Sequence, residues 1–163
     1  MTLFSNWSAI SILLSLLVYV PFSRYGHYLN LVANRKKAGA KAIILDSLLS
    51  DIFVRLLKRK QPEFSWLFLN SGAHIQHHYL FNSGAYTGEL QNPEWYCEKG
   101  YDPLLRVLEE YDITIGRLLK QDSKLLIMTG LHQQPHRHMT FYWRLKEHAS
   151  FLNEIGIHNY TNL

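Results

Sequence analysis

A chain of 163 residues and 19.1 kDa fits one ordinary domain. With 47% hydrophobic and 18% charged residues, 9 Gly and 5 Pro it is neither disordered nor collagen-like, and its single cysteine, Cys97, excludes an internal disulfide framework and a cysteine-based zinc cluster. The net charge of +4 is uneven: residues 1–60 carry nine Lys/Arg against two Asp, and residues 61–122 carry four against nine Asp/Glu, which is not the profile of a uniformly basic nucleic-acid binder.

The longest apolar run is Ala9–Val20, closed by Pro21. Counted from Trp7 it makes about 14 residues, roughly 21 Å of helix, against a bilayer core of roughly 30 Å. No Lys or Arg precedes it, as a signal peptide would require, and the expected location is cytoplasmic. Ser8, Ser11 and Ser15 line one face, so residues 7–20 read as a helix docked on a larger partner, with a membrane-associated or signal-like segment as alternatives. The basic stretch Asn34–Lys37 reads as a solvated connection, the alternative being a phosphate-binding patch. From Ala42 to Lys60, Leu45, Leu48, Leu49, Ile52, Phe53, Leu56 and Leu57 recur at helical spacing as a core stripe, with Asp46 and Asp51 on the solvated side. Cations at Arg55 and Lys58–Lys60 suit a helix C-terminus, and Pro62 stops the helix.

Ser65–Asn70 is a short, nearly continuous apolar run, as expected of a strand covered on both faces. Residues 82–100, rich in Asn, Gly, Tyr and Glu, read as a long surface loop. Asp102-Pro103 opens a second helix, with Asp as N-cap and Pro at its first position. Its expected buried stripe is Leu104, Leu105, Leu108, Tyr111, Ile115, Leu118 and Leu119. Lys124–Thr129 is a second expected strand, and Thr140 is a candidate cap for a last helix carrying Trp143, Phe151, Leu152 and Ile155. Together these elements predict a single α/β domain or partial domain: residues 1–60 helical and basic, and residues 61–163 a strand–helix–strand–helix unit with a parallel sheet flanked by helices.

His74, His77 and His78 follow the first expected strand, and His132, His136 and His138 follow the second. Parallel neighbours would bring both groups to one sheet edge, where α/β folds bind ligands. Neutral imidazoles there would suit zinc or manganese, with His74 and His78 at i, i+4. Neither segment holds a carboxylate, so the alternatives are scattered hydrogen-bonded histidines, a degraded metal site or a competent one. Cys97 lies among Trp95, Tyr96 and Glu98, an acidic setting that does not activate a thiol.

Trp66–Asn70 followed by Ala73–His77, the Tyr111–Leu119 helix and the Leu125–Thr129 run resemble, in that order, the type I phosphodiesterase/nucleotide pyrophosphatase family of the alkaline phosphatase superfamily. The resemblance implies the C-terminal part of an alkaline phosphatase-like α/β fold, a phosphoester substrate in the lineage, and metal ligands at Asn70, His74, His77, His78, His132 and His136. Asn70 or Ala73 stands where the family has an Asp ligand, and Thr129-Gly130-Leu131-His132 replaces its Ser-Asp-His-Gly. The nucleophile and first metal Asp would lie in an N-terminal half that this chain does not contain. Two readings follow: a divergent or truncated phosphodiesterase-like hydrolase, inactive as an isolated chain and completed by a missing half or partner docked on residues 7–20, or a non-catalytic binding module that keeps the fold without metals.

Overall fold

The computed structural model describes residues 6–130, 134 and 145–159. The chain divides into two units, Met1–Leu131 and His132–Leu163. The first contains α1 (Asn6–Tyr19), a 3-10 turn (Phe22–Arg24), α2 (Tyr25–Ala33), α3 (Ala40–Lys60), α4 (Ser71–Tyr79), a second 3-10 turn (Leu80–Asn82) and α5 (Pro103–Leu118). In the second unit the described helix is α6 (His148–Glu154), which carries Phe151 and Leu152; Thr140 and Trp143 lie outside the described residues.

The described residues are helical and contain no β-strand, which overturns the expected parallel-sheet α/β fold. Ser65–Asn70 and Lys124–Thr129 are non-helical connections that pair with no neighbouring strand. Hydrophobicity marked both runs, yet a strand is completed only by an adjacent backbone, which a run of apolar residues cannot supply alone.

Helix α3 is the axis of the first unit, with α1, α2, α4 and α5 all packed against it. Val20, Tyr28, Leu31, Ile43, Leu48, Ile75 and Val107 form the apolar core. Among the described residues no helix is long and apolar enough to cross a membrane. α1 packs Leu16 toward the core and leaves Leu14, Leu17 and Val18 exposed.

The faces that α3 and α5 bury match their expected apolar stripes only in part: Leu48 is buried, and Ile52, Leu104 and Tyr111 pack against the core. α3 turns Ile43, Asp46, Ser47, Ser50, Asp51 and Val54 inward, and Leu45, Leu49 and Leu56 outward. α5 buries Pro103, Val107, Glu110 and Thr114 and exposes Leu105, Leu108 and Leu119. Asp46 and Asp51, expected in solvent, are therefore core residues.

Burying carboxylates is unfavourable unless partners offset it; Asp51 and Glu110 face cations, and Asp46 accepts hydrogen bonds. Asp51 Oδ2 faces Arg24 Nε at 3.0 Å and accepts the Tyr28 hydroxyl at 2.7 Å, while its Oδ1 is ion-paired with Arg117. Glu110 faces His27 Nε2 at 3.0 Å and Arg24 Nη2 at 3.4 Å, and accepts the Ser47 hydroxyl. Asp46 Oδ2 accepts the Ser71 amide at 2.8 Å, the Ser71 hydroxyl at 2.5 Å and the Tyr111 hydroxyl at 3.1 Å. Asp46 thus caps the N-terminus of α4 from another helix, where the Asn70 side chain makes no cap bond. Tyr111 Oη also accepts the Gly72 amide at 2.7 Å; a Cβ on Gly72 would lie 2.9 Å from the tyrosine ring, so this close approach needs glycine.

Burial alone would raise the Glu110 carboxyl; hydrogen bonds from His27 and Ser47 and the charges of His27 and Arg24 outweigh it and hold the group below its ordinary value. For Tyr111, burial dominates and pushes the phenol up.

Two predictions follow from this packing. Ile75 is 0% exposed and Leu105 is 53% exposed, so Ile75→Ala should cost about 2–5 kcal/mol in urea unfolding and Leu105→Ala less than about 0.5 kcal/mol; equal costs would mean that the buried faces are misassigned. Glu110 binds its proton more weakly folded than unfolded, so its contribution is complete above the ordinary value of 4.5 and fades as pH falls through the lower folded value. Glu110→Gln should be less stable than wild type at pH 7, and the gap should narrow below pH 4.5; a gap independent of pH contradicts the ion pairing.

Candidate functional site

Among the described residues, Asn70, His74, His77 and His78 are the sequence-predicted ligands that can be placed. Asn70 stands exposed at the entry of α4, and His74, His77 and His78 project from that helix. His74 and His78 stack edge to face with ring centroids 4.8 Å apart, one turn apart as expected, and His78 Nδ1 lies 3.1 Å from the Tyr96 hydroxyl. Desolvation and the neighbouring His74 and His77 lower the His78 pKa. Among the described residues no group of three His, Cys, Asp or Glu is placed to hold an ion, which corrects the metal-binding expectation there. His132 and His136 lie outside the described residues. Two stacked imidazoles with no carboxylate do not fit the hydrolytic metal pair that the resemblance implies, and no step is derived through it.

The buried carboxylates do not form a catalytic pair either. Asp46, Asp51 and Glu110 already accept hydrogen bonds or ion pairs from Ser71, Tyr111, Tyr28, Arg24, Arg117, His27 and Ser47, so their oxygens are committed to holding helices together.

The groove with the strongest chemical character lies elsewhere. The connection between α2 and α3, the start of α3, the side of α4 and the Trp95–Glu98 stretch surround a cavity of about 1110 Å³. Arg35, Lys36, Lys37 and Lys41 line it, with Glu98 as the opposing charge. His74, Tyr79, Trp95 and Tyr96 supply its aromatic side. Gly39 begins α3 with φ 74°, and a Cβ there would lie 2.8 Å from Ile75, so glycine both permits the turn and lets α4 approach. The amino end of a 21-residue helix then opens on the groove and adds partial positive charge.

Local contacts hold the aromatic wall. Tyr79 and Tyr96 pack with centroids 5.3 Å apart, and Trp95 meets Tyr96 edge to face at 5.6 Å. Asn92 Nδ2 donates to the His78 carbonyl at 3.1 Å, fastening the 82–100 loop to α4. Asp102 ties that loop to α5: Oδ2 accepts from Ser83 Oγ at 3.0 Å and the Gly84 amide at 2.9 Å, while Oδ1 caps Leu105 N at 2.9 Å. Burial would raise the Asp102 carboxyl; these donors outweigh it and leave the pKa lowered. Lys37 Nζ sits 4.9 Å above the ring of Tyr101, which is outside the groove's lining, a cation–π contact that orients the basic connection. Cys97 donates its thiol to the Tyr101 carbonyl at 3.6 Å; burial, then Asp102 and Glu98, push its pKa up, so the thiol is a wall residue rather than a nucleophile.

The sequence signalled half of this site. The basic stretch at 34–37 was visible, as was the aromatic character around Trp95; that the two face each other across α4 was not, since nothing local links residues 60 positions apart.

No family model, curated protein or solved structure matches this chain.

Proposed function

We propose that the chain is a non-catalytic binding module whose groove takes a phosphate-bearing ligand with an aromatic ring. One observation carries the reading: four Lys/Arg side chains and an aromatic wall border the same 1110 Å³ space. Cations recognise phosphate and flat rings recognise rings, and small-ligand sites commonly enclose roughly 300–1,000 Å³. The phosphoester expected from the family resemblance belongs to the same chemical class. The reading is one of binding: the groove's lining offers cations and rings to hold a ligand.

The test is a titration of the full chain with adenosine monophosphate, adenosine and inorganic phosphate, read by calorimetry and tryptophan fluorescence. The monophosphate should bind most tightly, weaken with added salt and bind about tenfold more weakly, roughly 1.4 kcal/mol, in Lys36→Ala/Lys41→Ala. Trp95→Ala should weaken the monophosphate and leave inorganic phosphate unchanged. Equal affinity of the double variant and wild type, or turnover of a nitrophenyl phosphodiester, would contradict the proposal.

A further inference from the structure

Asn30, Asn34, Lys37, Tyr101 and Arg106 line a second cavity, of about 270 Å³. Asn34, Lys37 and Ala40 line the 1110 Å³ groove as well, so the two spaces are neighbours along the basic connection between α2 and α3. The polar groups of the smaller space are donors. Asn34 Nδ2 donates to the Asn30 carbonyl at 2.9 Å and to Asn30 Oδ1 at 3.3 Å. The side-chain oxygen of Asn30 is thereby engaged, and its NH2 group is the end left to donate. Lys37 and Arg106 supply two positive charges, and among the described residues no Asp or Glu lines the space. Glu109, one turn along α5, ion-pairs with one nitrogen of Arg106 at the surface; such a pair is weak and leaves the rest of the guanidinium fork to a ligand. Burial outweighs the nearby Arg106 and pushes the Tyr101 phenol up, so it stays a protonated hydroxyl that can donate.

We infer that this cavity takes a second phosphate group of the ligand held in the groove, so that the chain selects nucleotides with two phosphate groups over monophosphates. The inference rests on the groove reading and names the ligand class more closely. Size supports it: 270 Å³ falls below the roughly 300–1,000 Å³ of sites that hold a whole small ligand, and suits one group of a ligand whose body lies next door. Charge and geometry point the same way. Two cations, a side-chain amide and a hydroxyl, with no lining carboxylate, complement a phosphate, and the planar fork of Arg106 can meet two phosphate oxygens at once. Lys37 borders both spaces, where its charge offsets the repulsion between two phosphates of one ligand.

The test is calorimetric titration of the full chain with adenosine monophosphate, adenosine diphosphate and adenosine 3′,5′-bisphosphate. The last two place the second phosphate beside the first or across the ribose. At least one of them should bind about tenfold more tightly than the monophosphate, as expected of added hydrogen bonds to a charged group. The groove's own cations also attract extra charge, so the quantity compared between variants is this gain, a ratio in which a general loss of affinity cancels. Arg106→Gln and Asn30→Ala should each cut the gain by at least about threefold. Lys36→Ala/Lys41→Ala, in the groove, should weaken all three nucleotides and keep the gain. Arg106 and Asn30 are not buried, so both variants should keep the helical circular dichroism of the wild type. Monophosphate binding with no gain from a second phosphate, or a gain that survives either variant, would overturn the inference and leave the groove reading standing. No binding of any of the three would overturn both.

Discussion

Asp51 and Glu110 sit buried on facing helices, and neither tolerates that position without its cations. This constraint organises the first unit. Arg24 reaches both carboxylates from the turn before α2, and Arg117 reaches Asp51 from the last turn of α5. His27 and Tyr28 complete the set from α2. A buried ion pair is not by itself a strong source of stability, because desolvation offsets much of the attraction. Its effect here is on specificity. A rotation of α3 or α5 that turned Asp51 or Glu110 away from Arg24, Arg117 and His27 would leave a buried carboxylate without its cations.

The same constraint explains the groove. With α3 fixed by Asp51, the preceding carboxylate Asp46 is aimed at the start of α4 and takes its Ser71 amide and hydroxyl. That sets α4 beside the amino end of α3, so His74 and Tyr79 face the basic connection. Asp102 closes the far side by holding the 82–100 loop and the α5 cap with one carboxylate. The binding surface is therefore a by-product of how three carboxylates find partners, although none of them lines it.

Local signals were legible in the sequence, and long-range ones were not. Asp102-Pro103 announced the start of α5 because capping is chemistry within four residues, and the structure shows that cap. The α3 helix was equally plain, and the long loop at 82–100 was visible in its composition. The buried faces were read only in part because periodicity ranks residues by hydrophobicity, and Asp51 becomes a core residue only through Arg24, 27 positions away, and Arg117 on α5. Glu110 depends on partners 83 and 86 positions away. The strand readings failed differently. Ser65–Asn70 does have the apolar character of a strand, but its backbone finds no strand partner among the described residues. The histidine site was inferred from two strand ends; without the strands, the case for bringing the two groups together disappears.

The central claim is that the Arg24–Asp51 pair locks the helices, and a double-mutant cycle tests it most directly. Arg24→Met and Asp51→Leu would be made singly and together, and unfolding free energies measured in urea at pH 7. Each single variant removes one partner from a buried network, leaving Asp51 with Arg117 or Arg24 with Glu110, and should lose up to about 3 kcal/mol, whereas removing both should cost less than the sum. A coupling of about 1.5 kcal/mol or more is the predicted result. Additive losses within about 0.5 kcal/mol would show that the pair contributes nothing specific, and would contradict the account.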